Sequence, residues 1–576
     1  MTMRNRLAIG LLGCAAVAVL GASAHAQSVD SGGGGISGST GDDSAQSGDD
    51  APGKGRSSRG RRGGPRLGHV SIEPYIEAAQ ILNADLSSGG DTVTYSQLAA
   101  GVDASINGRN NSGSVSLRYE RRFGYGRAEN SDSVSGIARV SLGIVPRAVR
   151  FEAGAMAQRS RVESNGNAVI APLDVNDSVS KIYSVYAGPV VSTHAGDVKI
   201  DANYRIGYTK VTSPDAVVIA PGGAPIDLFD SSVVHNAEIH AGVNPHEVLP
   251  VGVGVGAGFY QENVANLDQR VRDFHARADV TVPVSQDLAV IGGVGYEDVE
   301  ISSRNAVFGP GGVPVVGSDG RLVTDKSAPR QIAYEATGLI WDVGVMWKPS
   351  PRTNLEAHVG RRYGTTSYFG SFAWAPSRRQ SVNVAVYDNV AGFGGQVNSA
   401  LAKLPTQFQA IRNPLTGDIT GCVASLEQGS CLGGALGSLR SSTFRARGIA
   451  ATYGLDFGRI TTGIGGGYDR RTFFAAPGTI LATANGVVDE NYWLMAYLDA
   501  KIDQRSNLST NVYANWFQSG FAGSGDASAL GATVAYRRSL TNRLSGTVAL
   551  GIDGISRQFE EDIWTASALA GVRYSF

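Results

Sequence analysis

From His69 to Phe576 the chain alternates, in segment after segment, between apolar side chains and polar or small ones with a period of two. Residues 198 to 209 show the pattern: Val198, Ile200, Ala202, Tyr204, Ile206 and Tyr208 share one face, and Lys199, Asp201, Asn203, Arg205 and Thr209 the other. A soluble sandwich alternates as well. A membrane strand also needs about 9 to 11 spanning residues, with aromatic side chains where the bilayer meets water. Several segments meet both conditions, among them Val115, Leu117, Tyr119, Phe123 and Tyr125 set against Ser114, Ser116, Arg118, Glu120 and Arg122. The expected fold is therefore an all-β, antiparallel, up-and-down transmembrane barrel with apolar residues toward lipid and polar ones toward a lumen.

Composition agrees. Of 576 residues 76 are Gly and 18% are charged, against about 25% in ordinary soluble domains. The formal net charge of -1 offers no general attraction to nucleic acid or anionic lipid. Residues 1–26 read as a secretory signal, with Arg4 and Arg6, an apolar stretch from Leu7 to Leu20, and a cleavage site at Ala24-His25-Ala26 in which Ala24 and Ala26 are the small residues. Leu11-Leu12-Gly13-Cys14 resembles a lipobox, but the apolar stretch runs past it. Residues 27–68 are a Gly, Ser and Asp stretch followed by an Arg-rich one, a composition too polar to fold; a disordered periplasmic tether is expected there. Beyond the signal no run of about 18 apolar residues occurs, so any membrane crossing from 69 to 576 is by strands.

About 22 strands are expected, within a range of 18 to 24, with starts near residues 70, 92, 113, 133, 149, 179, 196, 231, 251, 269, 287, 333, 353, 366, 379, 442, 459, 489, 508, 526, 543 and 562. Residues 366 to 388 allow one strand or two. Short turns alternate with longer segments at about 162–177, 212–230, 303–331, 389–441 and 474–488. In an outer-membrane barrel the short turns are periplasmic and the long loops extracellular. The final strand places Val572, Tyr574 and Phe576 on one face and resembles the terminal signal read by the barrel-assembly machinery. Residues 562–576 are expected to close the ring by pairing with 70–79, with both termini in the periplasm.

Candidate lumen-lining residues are Arg118, Glu120, Arg122, Lys199, Asp201, Arg205, Glu238, His240, Asp273, Arg277, Glu356, Arg362, Asp499 and Lys501. Both signs are mixed, which suits hydrophilic solutes without choosing anions or cations. Cys422 and Cys431 remain after signal removal and are expected to form a local disulfide in an outer loop. Glu238 with His240, and Glu356 with His358, share strand faces; lumen polarity explains them more simply than a metal or catalytic site. Gly252, Gly254, Gly256 and Gly258 mimic a nucleotide loop, but they lie within an alternating strand and leave room in the lumen instead. No catalytic residue, cofactor or metal site is expected.

From Val70 to Glu120, Ser71-Ile72-Glu73-Pro74-Tyr75, Asp91-Thr92-Val93-Thr94-Tyr95 and Ser116-Leu117-Arg118-Tyr119-Glu120 follow in an order that resembles an uncharacterised outer-membrane barrel family associated with bacterial protein-sorting and exopolysaccharide systems. The chain is also similar to porin-like alphaproteobacterial barrels. The resemblance implies a barrel used for export of surface polymer and carries over no site residues. TonB-dependent transporters place a folded plug of well over a hundred residues before the barrel, and only 27–68 precedes it here. The expected function is a passive or gated channel for hydrophilic solutes or surface polymer. A closed barrel that binds a partner through its loops is the alternative, and an outer-membrane hydrolase a more distant one. Outer-membrane lipid is the expected surrounding, a polysaccharide one possible solute, and the oligomeric state is left open.

Overall fold

A computed structural model describes residues 69–576 apart from 88–89, 127, 129, 163–165, 171, 174–178, 213–226, 228, 426–429 and 522. The expected signal and tether lie outside the described residues. The first eight strands are β1 (His69–Asp85), β2 (Thr92–Asn107), β3 (Asn111–Tyr125), β4 (Ser131–Val145), β5 (Val149–Val162), the short β6 (Ala168–Ile170), β7 (Ser180–Ala195) and β8 (Val198–Thr212). There follow β9 (Ser231–Val243), β10 (Gly252–Val264), β11 (Gln269–Pro283), β12 (Leu288–Ser303), β13 (Gln331–Ser350), β14 (Thr353–Arg362), β15 (Thr365–Ser377) and β16 (Gln380–Ala391). An insert then contributes α1 (Phe393–Ala402), β17 (Gln409–Arg412), β18 (Ile419–Ala424), β19 (Ser430–Cys431) and α2 (Gly433–Leu436). The wall ends with β20 (Phe444–Asp456), β21 (Ile460–Phe473), β22 (Val488–Lys501), β23 (Ser506–Gln518), β24 (Ala527–Ser539), β25 (Leu544–Arg557) and β26 (Ile563–Ser575).

Each wall strand pairs antiparallel with the next, β16 with β20 across the insert, and β26 with β1, giving a closed ring of 22 strands. Residues 365–391 form two strands, with Gly370↔Val386 among their pairs. The closing seam runs from Tyr75↔Ser575 to Asp85↔Thr565, so 75–79 pair with the final strand as expected, and the ladder is shifted toward Asp85 instead of beginning at 70. The offset is the stagger that strand tilt imposes on a closed sheet. His69 to Glu73 pair with β2 alone, while Pro74, also paired with β2, accepts the Phe576 N–H at its carbonyl at 3.1 Å.

The outer face is apolar, because lipid offers backbone and side chains no hydrogen bonds. It carries two aromatic girdles. Tyr183, Tyr208, Tyr492 and Trp516 lie toward one end; Phe151, Trp347, Trp374 and Tyr536 lie toward the other, all of them exposed. Val343 lies between the girdles on β13 and is 50% exposed, with Val359 of β14 beside it. Val343→Arg should therefore destabilise the barrel in lipid vesicles by about 2–4 kcal/mol, the cost of a cation on the lipid face near the midplane. Reversible urea unfolding measures this, and an unchanged midpoint would mean that this face does not meet hydrocarbon.

The connections sort by end. At the end holding the start of β1 and the finish of β26 they run from two residues, as at 196–197, 351–352 and 378–379, to the eight of 244–251. At the opposite end they include 163–179, 213–230, 304–330 and 392–443. The segment expected as an outer loop at 389–441 instead extends β16 to Ala391 and then turns into the ring. Its side chains Phe393, Val397, Leu401, Leu404, Leu415 and Ile419 are all at most 1% exposed. Burying that apolar surface against the inner wall is what draws the segment inward.

Candidate functional site: the lumen and its plug

A ring of 22 strands, spaced about 4.8 Å apart and tilted about 40°, would span roughly 44 Å if it were circular. Open, it would pass most hydrophilic molecules. The 392–443 connection runs the full height of this lumen, starting from the long-connection end. At the short-turn end the Gln407 amide donates to the Ile106 carbonyl at 2.6 Å, and Thr406 meets Ser112 at 2.9 Å. The wall is drawn in around it. Residues of β18 reach β5, where the Gln158 amide donates to the Ile419 carbonyl at 2.8 Å, and β22, where Cys422 lies 3.7 Å from Met495. Those two strands stand on nearly opposite sides of the ring. Cys422 and Cys431 are disulfide-bonded across β18 and β19, inside the lumen rather than in an outer loop.

Three kinds of contact hold the plug. The first is apolar: Val397 and Leu401 of α1 belong to one buried cluster with Ile182 and Val211 of the wall, and Cys422 and Leu432 join it with Trp493 and Met495. The second is a cap supplied in trans by the wall. Glu262, at the end of β10, accepts from the Gly392 and Gly395 N–H groups at 2.6 and 3.0 Å, and also from Ser232 and Tyr260. A carboxylate there satisfies donors the helix leaves orphaned and complements its dipole. Gly395 permits the approach, since a Cβ at that position would sit 1.9 Å from the Tyr260 hydroxyl. The third is ionic. Arg159 of β5 grips both oxygens of the Asp418 carboxylate, with Nη2 on Oδ2 at 2.6 Å and Nε on Oδ1 at 3.1 Å, and both side chains are buried. Nearby, Arg412 of the plug donates to Ser116, Ser135 and the Gly417 carbonyl. Lys403, just past α1, lies 6.0 Å from the Tyr387 ring; burial, reinforced by nearby Arg205, lowers its ammonium to about 8.

Away from the plug the charged residues pair along the wall. Glu120 sits between Arg118 and Arg122, and Arg118 also holds Glu77 of β1. Lys199 pairs with Asp201 at 3.1 Å, and Arg205 lies 5.8 Å over the Tyr186 ring. Glu238 and His240 are not brought together: Glu238 accepts from Asn203, and His240 meets Asp279 at 3.2 Å. Glu356 and His358 are in contact at 3.1 Å, while the other ring nitrogen of His358 faces Asp342, which Arg277 also holds. Asp273 takes Arg362 and the Tyr363 hydroxyl, with His275 alongside. Asp499 accepts from the Asn507 amide, and Lys501 is exposed at the short-turn rim. The glycines of β10 make room for this layer. A Cβ at Gly258 would lie 2.3 Å from the His275 ring. Among the described residues no cluster of three or more His, Cys, Asp or Glu could hold a metal ion. The wall pairs of His240, His275 and His358 with carboxylates each also engage an arginine or a second carboxylate.

Sequence reasoning missed the wall and plug partners Glu77, Asp103, Arg159, Glu262, Arg412, Asp418, Arg537 and Arg573. Some of these were visible in the alternation: Arg573 lies between outward Val572 and Tyr574, and Glu262 continues the inward parity of Gly254 and Gly258. Arg159 was not visible, because Gln158, Arg159 and Ser160 are all buried and the alternation fails there.

The molecule is thus a 22-stranded barrel whose lumen is filled by one of its own connections. No protein-family model matches the sequence, and no curated protein matches it. Among solved structures, the chain aligns with the iron transporter FrpB of Neisseria meningitidis over 87% of its length and 82% of that chain, at 11% identity and a TM-score of 0.40. It aligns with the closed form of the ferric-catecholate import receptor Fiu of E. coli over 89% and 82%, at 10% identity and 0.41. The corresponding figures for the siderophore receptor PirA of Acinetobacter baumannii are 88%, 81%, 11% and 0.38.

Proposed function

We propose that the chain is a gated outer-membrane channel for hydrophilic solutes, with the 392–443 plug as its gate. The short-turn end and both termini would face the periplasm, the long connections would lie outside, and Val572, Tyr574 and Phe576 would serve the assembly machinery. The apolar belt between two aromatic girdles supports the membrane setting. The observation that carries the gating is the Arg159–Asp418 latch, a bidentate ion pair buried inside the ring. A buried ion pair holds no better than apolar packing of the same size, yet it fails abruptly when either partner changes. A plug meant only to fill would gain nothing from it.

Surface polymer would need the whole plug withdrawn, whereas a small solute needs only a local shift beside it. A second reading, a lumen that stays shut while the outer connections serve a partner, is favoured by the apolar cluster joining Val397 and Leu401 to the wall. Planar-bilayer conductance of purified, refolded protein separates the two. Discrete openings are expected, and silence at every voltage, in the wild type and in latch variants alike, would overturn the channel.

A further inference from the structure

A cavity of about 520 Å³ opens at the short-turn end, between the plug at β17 and the inner faces of β1–β3 and β22–β26. That volume falls within the range of about 300–1,000 Å³ typical of small-molecule sites. Four guanidinium groups line it, Arg118, Arg412, Arg537 and Arg573, along with four carboxylates, Glu73, Glu77, Asp103 and Asp499. Most are committed to one another. Arg118 and Arg573 hold Glu77, and Arg573 reaches Asp103 at 3.3 Å while lying 3.5 Å over the Tyr75 ring. Asp103 also takes the Ser116 hydroxyl at 2.6 Å, the two oxygens of Asp499 both accept from the Asn507 amide, and Glu73 takes Ser71. Arg412 is spent on Ser116, Ser135 and Gly417.

Arg537 differs. It points into the cavity from β24, between strand neighbours Asn507 and Thr547, and its side chain makes no hydrogen bond or ion pair among the described residues. A planar fork of five donors facing water-accessible space is a receptor for a carboxylate. The remaining polar lining is hydroxyl and amide, including Gln97, Ser105, Gln409, Ser509 and Asn511, set among apolar side chains such as Ala79, Phe408 and Ile411.

We propose that this cavity is a solute-binding site for a small polyhydroxylated monocarboxylate, a sugar acid, whose carboxylate docks on Arg537 and whose hydroxyls meet the amides and hydroxyls around it. The proposal rests on the channel reading and names its solute class. A neutral sugar would leave the fork of Arg537 to water. An amino acid's ammonium would find Glu77 and Asp103 held by arginines, Asp499 by the Asn507 amide and Glu73 by the Ser71 hydroxyl. A polyanion has no match in a lining of four cations and four anions, which favours a single negative charge.

Isothermal titration of the full-length protein in detergent micelles tests the site. D-glucuronate should bind saturably, at least tenfold more tightly than D-glucose or L-glutamate. Arg537→Gln should weaken glucuronate at least tenfold, to the level of glucose, and Arg537→Lys should retain part of the difference. Because Arg537 holds nothing in place, the Gln variant should keep the unheated electrophoretic migration of the folded wild type. Equal affinity for glucuronate and glucose, tighter binding of glutamate, or an unchanged affinity in folded Arg537→Gln would each overturn the proposal. Binding is read in micelles without current, so a silent bilayer with binding intact sinks the channel alone, and a conducting barrel that ignores glucuronate sinks only this site.

Discussion

Arg159→Met should free the plug from the wall. Asp418 is about 1% exposed, and the substitution would leave its carboxylate buried without its bidentate partner. Removing one member of such a pair costs about 3–5 kcal/mol. At about 1.4 kcal/mol per tenfold change, the docking equilibrium should shift by roughly two to four orders of magnitude. Two readouts follow. Amide exchange across 409–424 should lose protection while the wall strands keep theirs, and channel openings should become far more frequent. Arg159→Lys retains the charge but loses the fork that takes both carboxylate oxygens, so its effect should be smaller and in the same direction. Unchanged protection at Ile419 to Ala424 in the Met variant would show that the apolar contacts alone hold the plug.

Removing the plug altogether should raise conductance at least tenfold and abolish closures. The wall permits this, because Ala391 and Phe444 are direct partners where β16 meets β20, so an Asn-Gly hairpin can join the two strands without disturbing the ladder that runs to Gln380↔Leu455. The deletion has a cost. Ile137, Met156, Ile182 and Trp493 would face water, at about 1.5–3 kcal/mol for each side chain fully exposed. The variant should thus be a leakier and less stable barrel, still closed at the β26–β1 seam. A deletion variant that folds and conducts no better than wild type would place the barrier elsewhere in the lumen.

The wall was legible because lipid and water act on every strand at once. Apolar and polar residues must alternate for the length of a crossing, so strand starts expected at 92, 149, 231, 269 and 353 coincide with Thr92, Val149, Ser231, Gln269 and Thr353. The ring count of 22 follows from the same pattern. The seam register was not legible: alternation fixes which face a residue takes, and the stagger between first and last strands is set by closure. The plug escaped for a related reason. Its environment is made of wall residues from both sides of the ring, so length and composition marked it only as a long connection. One cue was available, since Phe393, Val397 and Leu401 recur at the four-residue spacing of a buried helix face. Nothing near Asp418 announced a partner on β5.

On the gated-channel reading, docking of the plug decides whether the barrel conducts. Ser112 on the wall and Thr406 on the plug meet at 2.9 Å, so Ser112→Cys with Thr406→Cys ties the two by a removable disulfide. Bilayer current through the double variant should be absent when this bond is formed and should return to wild-type openings on adding reductant, with reduced wild type as the control for the Cys422–Cys431 bond. Openings of ordinary size and frequency with the cross-link intact would overturn the gate, because the lumen would then conduct past a plug pinned at its short-turn end.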